Sequence, residues 1–187
     1  MLIIDCSQGI SLIDSSHQNK VNAEHVKKDP HIWTSPRNAK IMVKNLCEGL
    51  ITIDSQHSQF YTQNMNKYLE ELEILDRELR ETFSKLQTKM FMVYHPAWGY
   101  FANEYGLEQI PIEEEGKEPT PEGLTNLINQ AKKYNIKVIF ASPQFETKTA
   151  ETVADEINGT VILIDPLEKN YITNLRKISN EITEGLQ

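Results

Sequence analysis

Hydrophobic positions along this chain follow two rhythms. Between residues 36 and 86, apolar side chains recur at helical spacings; beyond residue 89, short continuous apolar runs alternate with helical stretches. The first rhythm divides into two helices. Ser35 is a candidate N-cap with Pro36 at the first helical position, and Ile41, Leu46 and Leu50 lie on the apolar face of a helix ending near Ile53. Asp54 is placed to cap a second helix over residues 55–87. There Met65, Tyr68, Leu72, Leu75, Leu79, Phe83 and Leu86 form one stripe, with Glu, Lys and Arg opposite. Such a helix runs about 45 Å, more than a small domain needs, and reads as a spine joining two lobes. A core helix with frayed ends and a coiled-coil segment are the alternatives.

The second rhythm comprises four apolar runs, "KMFMVYH", "LEQIPI", "KVIFASP" and "TVILIDP". Helices are expected between and after them, over residues 98–105 (closed by Gly106), 120–134, 146–157 and 170–182. This alternation predicts βαβ units, and continuous runs fit strands covered on both faces. The expected class is α/β: a parallel four-stranded sheet with helices on both faces, preceded by the long helix. Residues 7–30 are polar and aperiodic and read as a surface loop. Residues 2–4 read as a core strand, so the chain looks as though it opens inside one.

Composition narrows the function classes. A chain of 187 residues fits one sizeable domain, or one plus part of another. The net charge of −8, from 27 acidic and 19 basic residues, argues against a nucleic-acid partner. Cys6 and Cys47 fit neither a disulfide scaffold nor a thiolate metal site and read as buried apolar thiols. No stretch has the length of a membrane span. The first residues do not read as a signal peptide, because they lack a basic region and Asp5 interrupts their short apolar run.

Three of the four runs end alike, in Tyr94-His95-Pro96, Ala141-Ser142-Pro143 and Ile164-Asp165-Pro166. Carboxyl ends of parallel strands share one rim, where ligands bind, and proline stiffens the turn behind each polar residue. His95, Ser142 and Asp165 are therefore expected along one edge. His31, in "DPHIWTSP", lies in a loop with Trp33 beside it. Two histidines and a carboxylate on rigid supports suit Zn²⁺ or a similar ion. Other readings stay open: His95 as a hydrogen-bonded turn residue, Asp165 as a turn starter, His31 as a helix cap. A hydrolase with Ser142 as nucleophile ranks below these, because no glycine elbow surrounds it and Pro143 lacks an N–H. His57 is expected to be solvated, and His17 and His25 are weak candidates in the polar loop. Glu113, Glu114, Glu115 and Glu118 read either as a solvated loop or as a negative field that attracts a cation.

Taken in order, "DPHIWTSPRNAKIMVKNL", "NMNKYLEELEILDREL", "YHPAWGYFANEYGL", "PIEEEGKEPTPEGL" and "VILIDPL" resemble the extracytoplasmic solute-binding proteins of zinc and manganese ABC importers. The resemblance covers essentially the whole chain. It implies two α/β lobes joined by one rigid helix, with a single divalent metal between them, held by four ligands. Three map here, to His31, His95 and Asp165; the fourth is a histidine of an N-terminal lobe that this sequence mostly lacks. Manganese-type members tend to carry glutamate where His95 stands, so the resemblance implies Zn²⁺, with Mn²⁺ or Fe²⁺ as runner-up. The implied division is residues 1–53 as a remnant of the first lobe, 54–88 as the linking helix and 89–187 as the C-terminal lobe.

The implied parent is a monomeric extracytoplasmic receptor that hands metal to a membrane permease, with binding coupled to proton release. A truncated chain is expected to bind more weakly and to self-associate through faces its first lobe would cover. A zinc hydrolase is the competing class, but no HExxH helix is present. No sequence feature specifically supports an adhesion module.

Overall fold

The computed structural model describes residues 3–15, 27–113 and 116–186. Four short strands, β1 (Met90–Val93), β2 (Glu108–Pro111), β3 (Val138–Ala141) and β4 (Thr160–Leu163), form one sheet in the order β2-β1-β3-β4. Every pairing is parallel, as the continuous apolar runs predict. All four carboxyl ends therefore lie on one edge.

Six α-helices lie among the described residues: α1 (Pro36–Ile53), α2 (Ser58–Ser84), α3 (Gly99–Tyr105), α4 (Pro121–Lys133), α5 (Lys148–Glu156) and α6 (Tyr171–Gly185). Start and stop chemistry explains several bounds. The Ser35 hydroxyl accepts from the Asn38 N–H at 3.3 Å, and that of Thr120 from Gly123 at 3.1 Å. Gly106 ends α3 in the left-handed region, at φ 66°.

The long helix is shorter than its apolar stripe implies. Its 27 residues span about 40 Å. At the front, Ser55–His57 form a 3-10 turn, and the Asp54 carboxylate accepts from His57 Nδ1 (2.8 Å) and the Tyr61 hydroxyl (2.7 Å) instead of capping backbone N–H groups. At the back, the Lys89 ammonium takes the Phe83 carbonyl. Smaller corrections apply to α5, which begins at Lys148, and to α6, which runs on to Gly185.

Side chains of β1 alternate between two cores. Phe91 and Val93 face α2, α3 and α6 and pack with Phe83, Phe101, Leu175, Ile178 and Ile182. Met92 faces α4 and α5 and packs with Ala131, Val153 and Ala154. Helices thus cover both faces of the sheet. Each fully buried Phe or Leu contributes about 1.5–3 kcal/mol. Asp76 of α2 ties three helices together: it accepts from Arg80 and from Tyr105 of α3, both at 3.1 Å, and from Lys40 of α1 at 3.5 Å.

Two expectations at the amino end change, the strand and the burial of Cys6. Ile3 and Ile4 are not in a strand, and Leu2 lies outside the described residues. Ile4 instead lies against Gly49 of α1, where any Cβ would overlap it, and Ile3 is 78% exposed. A strand needs backbone partners, and no described residue pairs there. The polar loop closes on itself through an antiparallel bridge between Asp14 and Lys28. Cys47 is buried, whereas Cys6 is only half-buried.

Candidate metal centre

His31 is set by the chain before it. The Asp29 carboxylate accepts from both the backbone N–H of His31 (2.8 Å) and its ring Nδ1 (2.7 Å). Asp29 is itself buried and held in place: its N–H donates to the Ile13 carbonyl (3.0 Å), and its carbonyl accepts from the Tyr100 hydroxyl (2.9 Å). Pro30 leaves little freedom between the two residues. Trp33 packs edge-on against the His31 ring, with centroids 5.4 Å apart.

His95 follows β1, at the carboxyl edge of the sheet. Its Nδ1 faces the Glu113 carboxylate at 2.7 Å, and its ring stacks on Phe145 with centroids 4.5 Å apart and planes at 26°. Glu113 is buried too, and its N–H donates to the Tyr94 carbonyl at 3.1 Å.

The two rings meet. Their Nε2 atoms lie 3.2 Å apart, with planes at 82°. An ionised carboxylate only accepts, so each Nδ1 carries the hydrogen and donates. That tautomer turns both Nε2 lone pairs toward one point. Two imidazole nitrogens presented in this way can ligate one metal ion, and the carboxylates behind fix the orientation of both rings.

Asp165 comes close in the fold but does not join the pair. Among the described residues no three potential ligands converge on one point. Instead its Oδ1 accepts from Gln144 Nε2 (2.7 Å) and from the Leu167 N–H (2.8 Å). The turn around it is fastened to the His31 segment: Trp33 Nε1 donates to the Pro166 carbonyl (2.9 Å), and the Tyr171 hydroxyl donates to the Trp33 carbonyl (2.8 Å). Burial pushes the Tyr171 hydroxyl well above its ordinary value, so it remains a donor.

The remaining candidates separate. Ser142 is buried, and no hydrogen bond among the described residues links it to His95 or Asp165. His57 is exposed and paired with Asp54. His17, His25, Glu114 and Glu115 lie outside the described residues. Of the described members of the acidic cluster, Glu113 turns inward to His95 and Glu118 accepts from the Tyr94 hydroxyl at 2.6 Å. Burial first, and that bond second, push Tyr94 up to about 12.

Sequence reasoning missed Asp29, and it missed the contact of Glu113 with His95. Glu113 had a signal: the second apolar run, "LEQIPI", is also followed at once by a polar residue on the rim. Asp29 had a weaker one, its place two residues before His31 across a proline.

Comparison with known proteins places this geometry. The family model described as zinc-uptake complex component A, periplasmic, matches residues 1–185. The chain is 34% identical over 176 residues to the high-affinity zinc uptake system protein ZnuA of Bacillus subtilis, covering 89% of this chain and 55% of that protein. It is 28% identical to the manganese ABC transporter substrate-binding lipoprotein PsaA of Streptococcus anginosus, covering 96% of this chain and 61% of that one. A crystal structure of ZnuA superposes with a TM-score of 0.92 at 36% identity, covering 98% of this chain and 70% of the other. The chain spans little more than half the length of the first two of these relatives.

Proposed function

The chain belongs to the family of periplasmic zinc-uptake components, and from that premise we propose that it forms the greater part of an extracytoplasmic receptor that captures a divalent transition metal, zinc foremost, for an ABC-type importer. The observation that carries this reading is the convergence of His31 Nε2 and His95 Nε2, each ring backed by a buried carboxylate. Imidazole nitrogen suits Zn²⁺ better than Mn²⁺, which prefers oxygen. Manganese or iron is the second reading, and the similarity to the manganese lipoprotein favours keeping it.

His31 and His95 are the first two ligands in this proposal, and Asp165 is the third, its Oδ2 reaching the ion as the rim loops close on the pair while Oδ1 keeps its hydrogen bonds to Gln144 and Leu167. Zinc here is cargo, not a catalytic ion. Two imidazoles, a carboxylate and a further histidine from the rest of the receptor give a closed tetrahedral site with no open position for a substrate, which fits a binding protein and not an enzyme. The metal then passes to the membrane permease. The division at residues 1–53, 54–88 and 89–187 belongs to the same reading, with the complete receptor a monomer.

Equilibrium dialysis against an equimolar mixture of Zn²⁺, Mn²⁺ and Fe²⁺ tests the choice of metal. Retention of zinc near one ion per chain supports the proposal. Retention of manganese at zinc's expense transfers the chain to the second reading, and retention of none overturns both.

A further inference from the structure

We propose that Gln144 is a specificity-determining residue: it limits Asp165 to one metal-binding oxygen and thereby favours zinc over manganese. The inference rests on the reading above that Asp165 is a ligand. Both hydrogen bonds that the Asp165 carboxylate receives fall on Oδ1, from Gln144 Nε2 at 2.7 Å and from the Leu167 N–H at 2.8 Å. No described residue donates to Oδ2. A carboxylate with one oxygen engaged by two donors presents the other as a single ligand atom.

Coordination number turns this into selectivity. Zinc closes its shell with four ligands and takes one oxygen from each carboxylate without strain. Harder ions such as manganese prefer more oxygens, and two-oxygen carboxylate contacts help fill their larger shells. With His31 and His95 supplying two nitrogens, a single oxygen from Asp165 leaves one position of a tetrahedron open for a fourth donor. A second oxygen from the same carboxylate, added to that fourth donor, would bring the count to five, beyond the zinc number and better suited to manganese.

Gln144 is the adjustable part of this arrangement. The Leu167 N–H is backbone, fixed two residues after Asp165 by the turn through Pro166, and survives any side-chain change. Gln144 stands in the β3–α5 loop and is exposed, so its side chain can be altered without disturbing either core. Its neighbour Phe145 stacks on His95 at 4.5 Å. One loop thus touches both proposed ligands through adjacent residues, and Gln144 is held in register with the site.

The test measures Zn²⁺ and Mn²⁺ affinities by competition titration, and the absorption spectrum of the Co²⁺-loaded protein, for the whole chain, Gln144→Ala and Asp165→Ala. In Gln144→Ala the zinc-to-manganese affinity ratio is expected to fall about tenfold, and the cobalt bands to weaken as the ion gains ligands. Asp165→Ala is expected to weaken both metals. An unchanged ratio and cobalt spectrum in Gln144→Ala, with both metals weakened in Asp165→Ala, overturns the role of Gln144 and leaves Asp165 a ligand. Unchanged affinities in Asp165→Ala overturn the ligand reading and this inference with it.

Discussion

His31 and His95 stand 64 residues apart in sequence, yet their Nε2 atoms lie 3.2 Å from each other. Each is held from behind at 2.7 Å, His31 by Asp29 and His95 by Glu113.

That backing has a measurable consequence. Asp29→Asn and Glu113→Gln keep side-chain size but weaken acceptance from the ring and allow the amide to donate instead. Each change is expected to lower zinc affinity about 10- to 100-fold while leaving most of the helical circular dichroism intact. Zinc titration with a parallel melting curve checks this; parent-like affinity in both variants would remove the carboxylates from the site.

Gly99 links fold and site. A Cβ there would stand 2.6 Å from Asp29 Oδ2 and 3.1 Å from Ile13. Gly99→Ala should therefore push Asp29 off its place and with it His31, although residue 99 touches no proposed ligand. About 1–3 kcal/mol of stability should be lost, together with several-fold in zinc affinity. Thermal unfolding and titration read the two effects separately, and a destabilised variant with unchanged zinc binding would break the link between them.

A ligating imidazole must be unprotonated, so if the proposed nitrogens hold the ion, zinc affinity should fall as pH falls and a measurable number of protons should be released on binding in the acid range. Calorimetry in two buffers of different ionisation enthalpy measures that number. Zero protons released across the acid range would rule out imidazole ligation.

Leu46 and Ile53 lie seven positions apart on α1, and both are exposed, at 45% and 63%. Ile3, also exposed, sits beside Ile4, which lies against the same helix. An apolar face of this kind promotes association. Sedimentation velocity of the 187-residue chain should show concentration-dependent dimers or larger species, diminished in Leu46→Ser/Ile53→Ser.

The sheet and its order of strands and helices were legible because their signals are local. Ser35, Thr120 and Gly106 mark helix ends with their own chemistry, and the four apolar runs are each continuous. The strand expected at residues 2–4 failed because pairing depends on a partner that local pattern cannot supply. The rim was partly legible. His95 and Asp165 announce themselves by a proline behind them, whereas Glu113 looked like one member of an acidic run. Only tertiary contact separates it from Glu118, turning one carboxylate to His95 and the other to Tyr94. The hold of Gln144 on Asp165 was not legible at all, since it joins two loops 21 residues apart through side chains alone.

Metal capture, as proposed, rests on the imidazole pair. Calorimetric titration of zinc into the chain, His31→Ala and His95→Ala tests it most directly. Each substitution is expected to reduce affinity by at least about tenfold, with the fold retained. Zinc affinity unchanged in both variants would contradict the account.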